Sequence, residues 1–142
     1  MPTVRKSVLV GRSAQAMFDL VEDIERYPQF LPWCSGTQVL ERTHETTNAR
    51  IDIDYRGLVT HFSTINRKDE PRGIDIQLDE GPFESLHGHW SFTPLGEDGC
   101  RVEFALDYAF SIAAMGVVLA PVFGHIAATL VERFVARAEA KP

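Results

Sequence analysis

Five histidines have the widest chemical reach in this 142-residue chain: His44, His61, His87, His89 and His125. His87 and His89 are two apart, which puts them on one face of a strand. Zinc takes three or four ligands in tetrahedral array. His61 is the one other outward-facing candidate on a nearby strand, and the spacing of turns sets it two strands away. The expectation is therefore no metal site. His125 stands in an apolar helical stretch. It reads as a histidine hydrogen-bonded in or near the core, with a polar contact to a ligand head group as the alternative.

Other catalytic constellations are equally sparse. Asp52, Asp54, Asp75, Asp79, Glu103 and Asp107 alternate with apolar residues, so they belong to a wet sheet face. No inward-facing pair of acids is set up for general acid–base work. The two cysteines, Cys34 and Cys100, lie far apart with no metal-type spacing, and Cys34 has no adjacent cation to activate it. Both read as reduced, buried thiols. No serine or cysteine has a base at readable spacing, and there is no glycine-rich phosphate loop. These residues predict a protein that binds rather than catalyses.

The elements that must position any site are legible from periodicity. Thr3–Val10 alternates and reads as a first strand. Ser13 is a candidate N-cap for a short helix carrying Met17, Phe18, Val21 and Ile24, and Asp23 restarts it as a second short segment. From Thr37 to Tyr108 the period is two. Leu58, Phe62, Ile74, Ile76, Leu78, Leu86, Trp90, Phe104 and Tyr108 fall on inward positions, separated by turns at Gly57, Asp69–Gly73, Gly81-Pro82 and Gly96–Gly99. The last stretch, Ile112–Ala138, has apolar side chains at Ile112, Met115, Leu119, Val122, Phe123, Ile126, Leu130 and Phe134, the spacing of one helix face. Pro121 predicts a kink or a helix start near it. Ile112–Val131 carries no charge and meets the length rule for a membrane span, but the apolar sheet face needs a cover and this helix is the only long candidate. The fold class is α+β: a curved antiparallel sheet of six or seven strands wrapped round a long C-terminal helix, with two short helices after strand 1.

The segment Tyr27-Pro-Gln-Phe-Leu-Pro-Trp-Cys34 is rigid. Its two prolines forbid a regular helix and push Tyr27 and Leu31 toward extended backbone. Its large apolar side chains form either a plug against the sheet or the lining of a ligand entrance or partner surface.

Length argues for a single domain over 1–142. The net charge of −6 argues against DNA binding and against non-specific nucleic-acid contact. Local basic groups occur at Arg5, Lys6 and Arg12, at Arg67, Lys68 and Arg72, and at Arg133 and Arg137; all read as solvated surface charges. The N-terminus is too short in apolar residues for a signal-peptide core. The expected location is the cytoplasm, with contact to the inner membrane only at its surface.

Three motifs together carry a family resemblance that runs nearly end to end. Tyr27–Cys34 resembles the signature after the first helices of the coenzyme Q-binding protein and ribosome association toxin (RatA) family. Gly81-Pro-Phe-Glu-Ser-Leu-His-Gly-His-Trp90-Ser-Phe92 resembles its second signature, and Ala120-Pro-Val-Phe123 with Phe134–Ala138 its C-terminal helix. Val131-Glu132-Arg133-Phe134 departs from the small residue expected before that phenylalanine. The family lies in the START-like, helix-grip SRPBCC superfamily that includes polyketide cyclases. The resemblance implies a helix-grip (START-like) fold with a cavity between sheet and C-terminal helix that takes an apolar ligand. The candidate ligand-binding residues are Trp33, Phe62, Leu78, Trp90, Phe104, Tyr108, Leu119, Phe123, Ile126 and Leu130, with Tyr108 or His125 bonding a quinone head ring. The expected role is a non-catalytic carrier or chaperone for ubiquinone or a similar isoprenoid quinone, supporting respiration. The alternative is a toxin that binds the large ribosomal subunit and blocks subunit joining; a cyclase-like enzyme is the lesser one.

Overall fold

The computed structural model describes residues 3–111 and 113–140, and the side chains of these apart from 113–119. The side-chain expectations for Ile112, Met115 and Leu119 lie outside the described residues. Seven strands form one antiparallel sheet: β1 (Thr3–Val10), β2 (Cys34–Arg42), β3 (Thr46–Tyr55), β4 (Leu58–Asp69), β5 (Gly73–Glu80), β6 (Phe83–Pro94) and β7 (Cys100–Phe110). Their order is β1-β7-β6-β5-β4-β3-β2, so β2 to β7 meander and β1 joins at the far edge. The chain must cross the sheet between β1 and β2. It does so through helix α1 (Ala14–Glu22) and a 3-10 helix (Ile24–Gln29). The long helix α2 (Ala113–Ala140) closes the same face.

Local chemistry explains the joints. Ser13 has extended backbone and its hydroxyl accepts from the Ala16 N–H at 3.1 Å, capping α1. The β3–β4 hairpin turns on Arg56 and Gly57, both at positive φ (50° and 87°), the two-residue turn that suits strand twist. Gly81 sits at φ 152°, and a Cβ there would lie 2.5 Å from the Phe62 Cβ. Only glycine fits against that strand.

The strand faces follow the predicted parity. Ile51, Ile53, Leu58, Ile74, Leu86, Trp90, Phe92, Val102, Phe104, Leu106 and Tyr108 are buried. Trp90 is opposite Ile74 on one side and Phe104 on the other. From α2, Phe123, Ile126, Ala127, Val131, Phe134 and Ala138 are buried, while Val122 and Leu130 are only partly covered. Phe134 joins the layers, its ring 5.2 Å from Trp90, 5.3 Å from Tyr27 and 5.1 Å from Phe30.

Three expectations need correction. Tyr27 lies inside the 3-10 helix rather than in extended chain; a helix of six residues tolerates the one donor that Pro28 removes. Of the two alternatives at Pro121, the helix start is overturned: α2 begins at Ala113 and runs through it. Lys68 is not a solvated charge. Its side chain is 7% exposed and its Nζ is 3.1 Å from Glu22, because position 68 keeps the inward parity of Phe62 and Thr64. No described helix is long and apolar enough to cross a membrane.

Candidate ligand-binding cavity

Between the sheet and α2 lies a cavity of about 110 Å³. Strands β3 to β7 supply one wall, with Ile51, Phe62, Ile76, Leu86, Trp90, Phe104 and Leu106. Helix α2 supplies the opposite wall with Phe123, Ile126, Ala127, Leu130 and Phe134, and Ile24, Tyr27 and Trp33 close one end. The hollow follows from residue size. Ala49 and Thr64, paired across β3 and β4, are both small, and Ala127 is the smallest of the described α2 residues in the lining. Facing short side chains leave space that large neighbours, fixed in their own contacts, do not fill.

Most of the predicted residues meet here. Trp33, Phe62, Trp90, Phe104, Phe123, Ile126 and Leu130 line the cavity. Two do not contribute, and a third falls outside the described residues. Leu78 is half-buried but outside the lining. Tyr108 is buried in an aromatic cluster with Phe83 and Phe123, at 6.5 and 4.7 Å between ring centroids, and is also outside it. Leu119 lies outside the described residues. His125 is neither in the core nor at the cavity. It is exposed and stacks on Tyr55 at 6.3 Å, because the Phe123–Ile126–Ala127 face turns position 125 outward. Sequence reasoning missed Ile24, Ala49, Thr64, Asn66, Ala127 and Phe134 among others as lining residues. Strand parity held the signal for Thr64 and Asn66; the alanines carry none, since a wall that recedes looks like any other small residue.

The cavity is apolar with few polar groups. Thr64 is 4% and Asn66 8% exposed, and the Thr64 hydroxyl donates to the Asn66 amide oxygen at 2.8 Å. The buried Trp33 Nε1 has no hydrogen-bond partner among the described residues. Tyr27 is the one phenol in the lining. Burial, with the nearby Glu22 charge, pushes its pKa well above the ordinary range, and its hydroxyl donates to the Val21 carbonyl.

Outside the cavity, Asp75 accepts from His87 at 2.8 Å and lies 3.4 Å from His89. Burial pushes this carboxyl up, but the two histidine bonds outweigh it and hold the pKa below the ordinary value. Among the described residues no cluster of three or more His, Cys, Asp or Glu side chains is arranged to hold a metal ion. Cys34 is buried, which pushes its thiol up to about 11, and Cys100 is shifted the same way by the same cause.

A sheet gripping a long helix over an apolar hollow defines the START-like class of binding folds. The chain belongs to the polyketide cyclase / dehydrase and lipid transport family, whose pattern matches residues 10–135. It is 39% identical over 139 residues to the ribosome association toxin RatA of Escherichia coli K12, covering 98% of this chain and 88% of that one. It is 25% identical over 143 residues to the mitochondrial coenzyme Q-binding protein coq10 of Schizosaccharomyces pombe, covering 96% and 87%. The crystal structure of the Zhui aromatase/cyclase from Streptomyces sp. R1128 superposes with a TM-score of 0.83 at 18% identity, covering 97% of this chain and 93% of that one. That similarity shows the shared fold.

Proposed function

We propose that this protein binds an isoprenoid quinone, ubiquinone or a close analogue, as a non-catalytic carrier supporting respiration. The observation that carries the reading is the cavity itself: an aromatic and aliphatic hollow between sheet and α2 whose described polar groups are the Thr64 hydroxyl, the Asn66 amide, the Tyr27 phenol and the Trp33 indole N–H. Burial of an apolar ligand there gains roughly 25 cal/mol per Å² removed from water. Among the described lining residues the one ionisable group is Tyr27, whose proton is committed to Val21. A lining without an available acid or base favours binding over a cyclase-type reaction. Size limits the pose. A cavity of about 150 Å³ holds one benzene ring, so 110 Å³ admits the carbonyl edge of a head ring or one isoprene-sized group, and a whole substituted ring only as the flanking side chains yield. The remaining tail must leave the cavity, and a carrier of this kind would hand it over at a membrane surface from the cytoplasmic side.

The test is to purify the protein from its host without detergent, extract it with organic solvent and assay quinone by mass spectrometry. Near-stoichiometric quinone is expected. An empty extract, with no uptake of added quinone, would sink the reading.

The likeness to RatA favours a second reading, attachment to the large ribosomal subunit. The basic groups offer it limited support. Lys68 is committed to Glu22, Arg72 to Asp69 and Arg137 to Gln29, and the chain is net negative, against a phosphate-rich partner. Co-sedimentation with ribosomal subunits that falls steeply as salt is raised would support it.

A further inference from the structure

Among the described residues, Asn66 is the one buried amide in the cavity wall, and its environment is only half complete. Its carbonyl oxygen accepts from Thr64 at 2.8 Å, which fixes the plane and leaves the NH2 group as the remaining functional end. Among the described residues, nothing accepts from that NH2. Its cross-strand neighbours are Thr47 and Ile76. The Thr47 hydroxyl donates to Glu22 at 3.1 Å and makes no bond to the amide among the described residues, and the Ile76 side chain has no acceptor. Asn66 is 8% exposed and lines the cavity, so an NH2 group without an acceptor in the fold is left for a partner in the space the residue borders. Its partner is therefore expected to arrive with the ligand.

We propose that Asn66, oriented by Thr64, is the specificity determinant of the cavity: it donates a hydrogen bond to an acceptor oxygen, and so selects ligands that bear a carbonyl on an apolar ring over hydrocarbons of the same shape. The inference rests on the cavity reading above and sharpens it. A quinone has such an oxygen at the edge of its ring, and that edge is what the volume admits. A plain hydrocarbon would bury the amide with no partner, and sites built around a hydrogen bond reject analogues that lack it.

Acetophenone and α-methylstyrene test this directly. They share one shape and differ only in C=O against C=CH2, and neither adds to thiols. Binding of each to the wild-type protein, to Asn66→Leu and to Thr64→Val is measured by calorimetry, with folding of each variant checked by circular dichroism. Acetophenone partitions into apolar surroundings less readily than its hydrocarbon twin, so the readout is how the ratio of the two affinities changes between proteins. Asn66→Leu should shift the ratio about five-fold toward α-methylstyrene, the size of one neutral hydrogen bond. Thr64→Val keeps the amide but frees its orientation, and should shift the ratio part of the way. If Asn66→Leu fails to fold, the Thr64→Val shift carries the test. Binding of both probes with a ratio unmoved by either variant would overturn the proposal and leave the cavity reading standing. Binding of neither probe to the wild-type protein would overturn both.

Discussion

At the scale of single residues, the inward end of β4 sets a polar corner under an apolar roof. Glu22 accepts from Arg42 at 3.0 Å, from Lys68 at 3.1 Å and from Thr47 at 3.1 Å, tying α1 to the sheet. Removing one member of a buried pair strands the other charge. Lys68→Met should therefore destabilise by about 3 kcal/mol, the lower end of that range because Arg42 still serves Glu22. The double change Glu22→Gln with Lys68→Met should recover part of the loss, both read from urea denaturation. The thiols give a second test. With Cys34 at about 11, roughly one thiol in a thousand is ionised at pH 8, three units below. Iodoacetamide should leave native Cys34 unlabelled on the timescale that modifies free cysteine, and urea should restore labelling. Asp75 gives the acid limb. Its folded pKa is depressed, so its contribution is full above the unfolded value of about 3.9 and is lost as pH falls through the lower folded value. Asp75→Asn should flatten that part of the thermal stability profile below about pH 4, whereas wild-type melting temperatures keep falling.

At the scale of elements, what could be read from sequence depended on whether periodicity alone decides the position. The strands and their inward residues follow a period of two with tight turns, and β1 and β3 to β7 lie where alternation puts them. The second short helix was legible at its start, Asp23, but its run through Tyr27 and Pro28 was not, because proline argues against helix in general, while a single short turn needs few of the donors that proline removes. His125 and Tyr108 were misplaced for a related reason. Both lie in apolar stretches, but α2 turns its Phe123–Ile126–Ala127 face to the cavity and position 125 away from it, and Tyr108 sits one aromatic layer beyond. The cavity depends on Ala49 and Ala127, whose smallness is invisible to a hydrophobic pattern. Filling it tests the role of that space. Ala127→Leu should abolish uptake of quinone or of acetophenone, with the melting temperature unchanged or raised, because the added methyl groups find room instead of strain. A large destabilisation, with binding intact, would show that α2 packs tightly at Ala127 and that the hollow lies elsewhere.

At the scale of the whole molecule, two kinds of attachment make opposite demands on the surface and the interior. A ribosome contact is electrostatic and screened: its affinity falls with each phosphate neutralised as salt rises. A lipid held inside the helix grip is retained by apolar burial, which salt strengthens slightly if it acts at all. The same protein preparation can therefore be asked which force holds its partner. Quinone occupancy should be unchanged between about 50 mM and 500 mM salt, spanning a large change in Debye length. Ribosomal co-sedimentation, if it occurs, should disappear over the same range. The two can also be uncoupled by substitution. Ala127→Leu closes the interior without touching a surface charge, so a ribosome contact that survives it is independent of the ligand. One that is lost together with quinone would mean that the filled cavity sets the surface the ribosome reads, joining the two activities named among its relatives in one binding cycle.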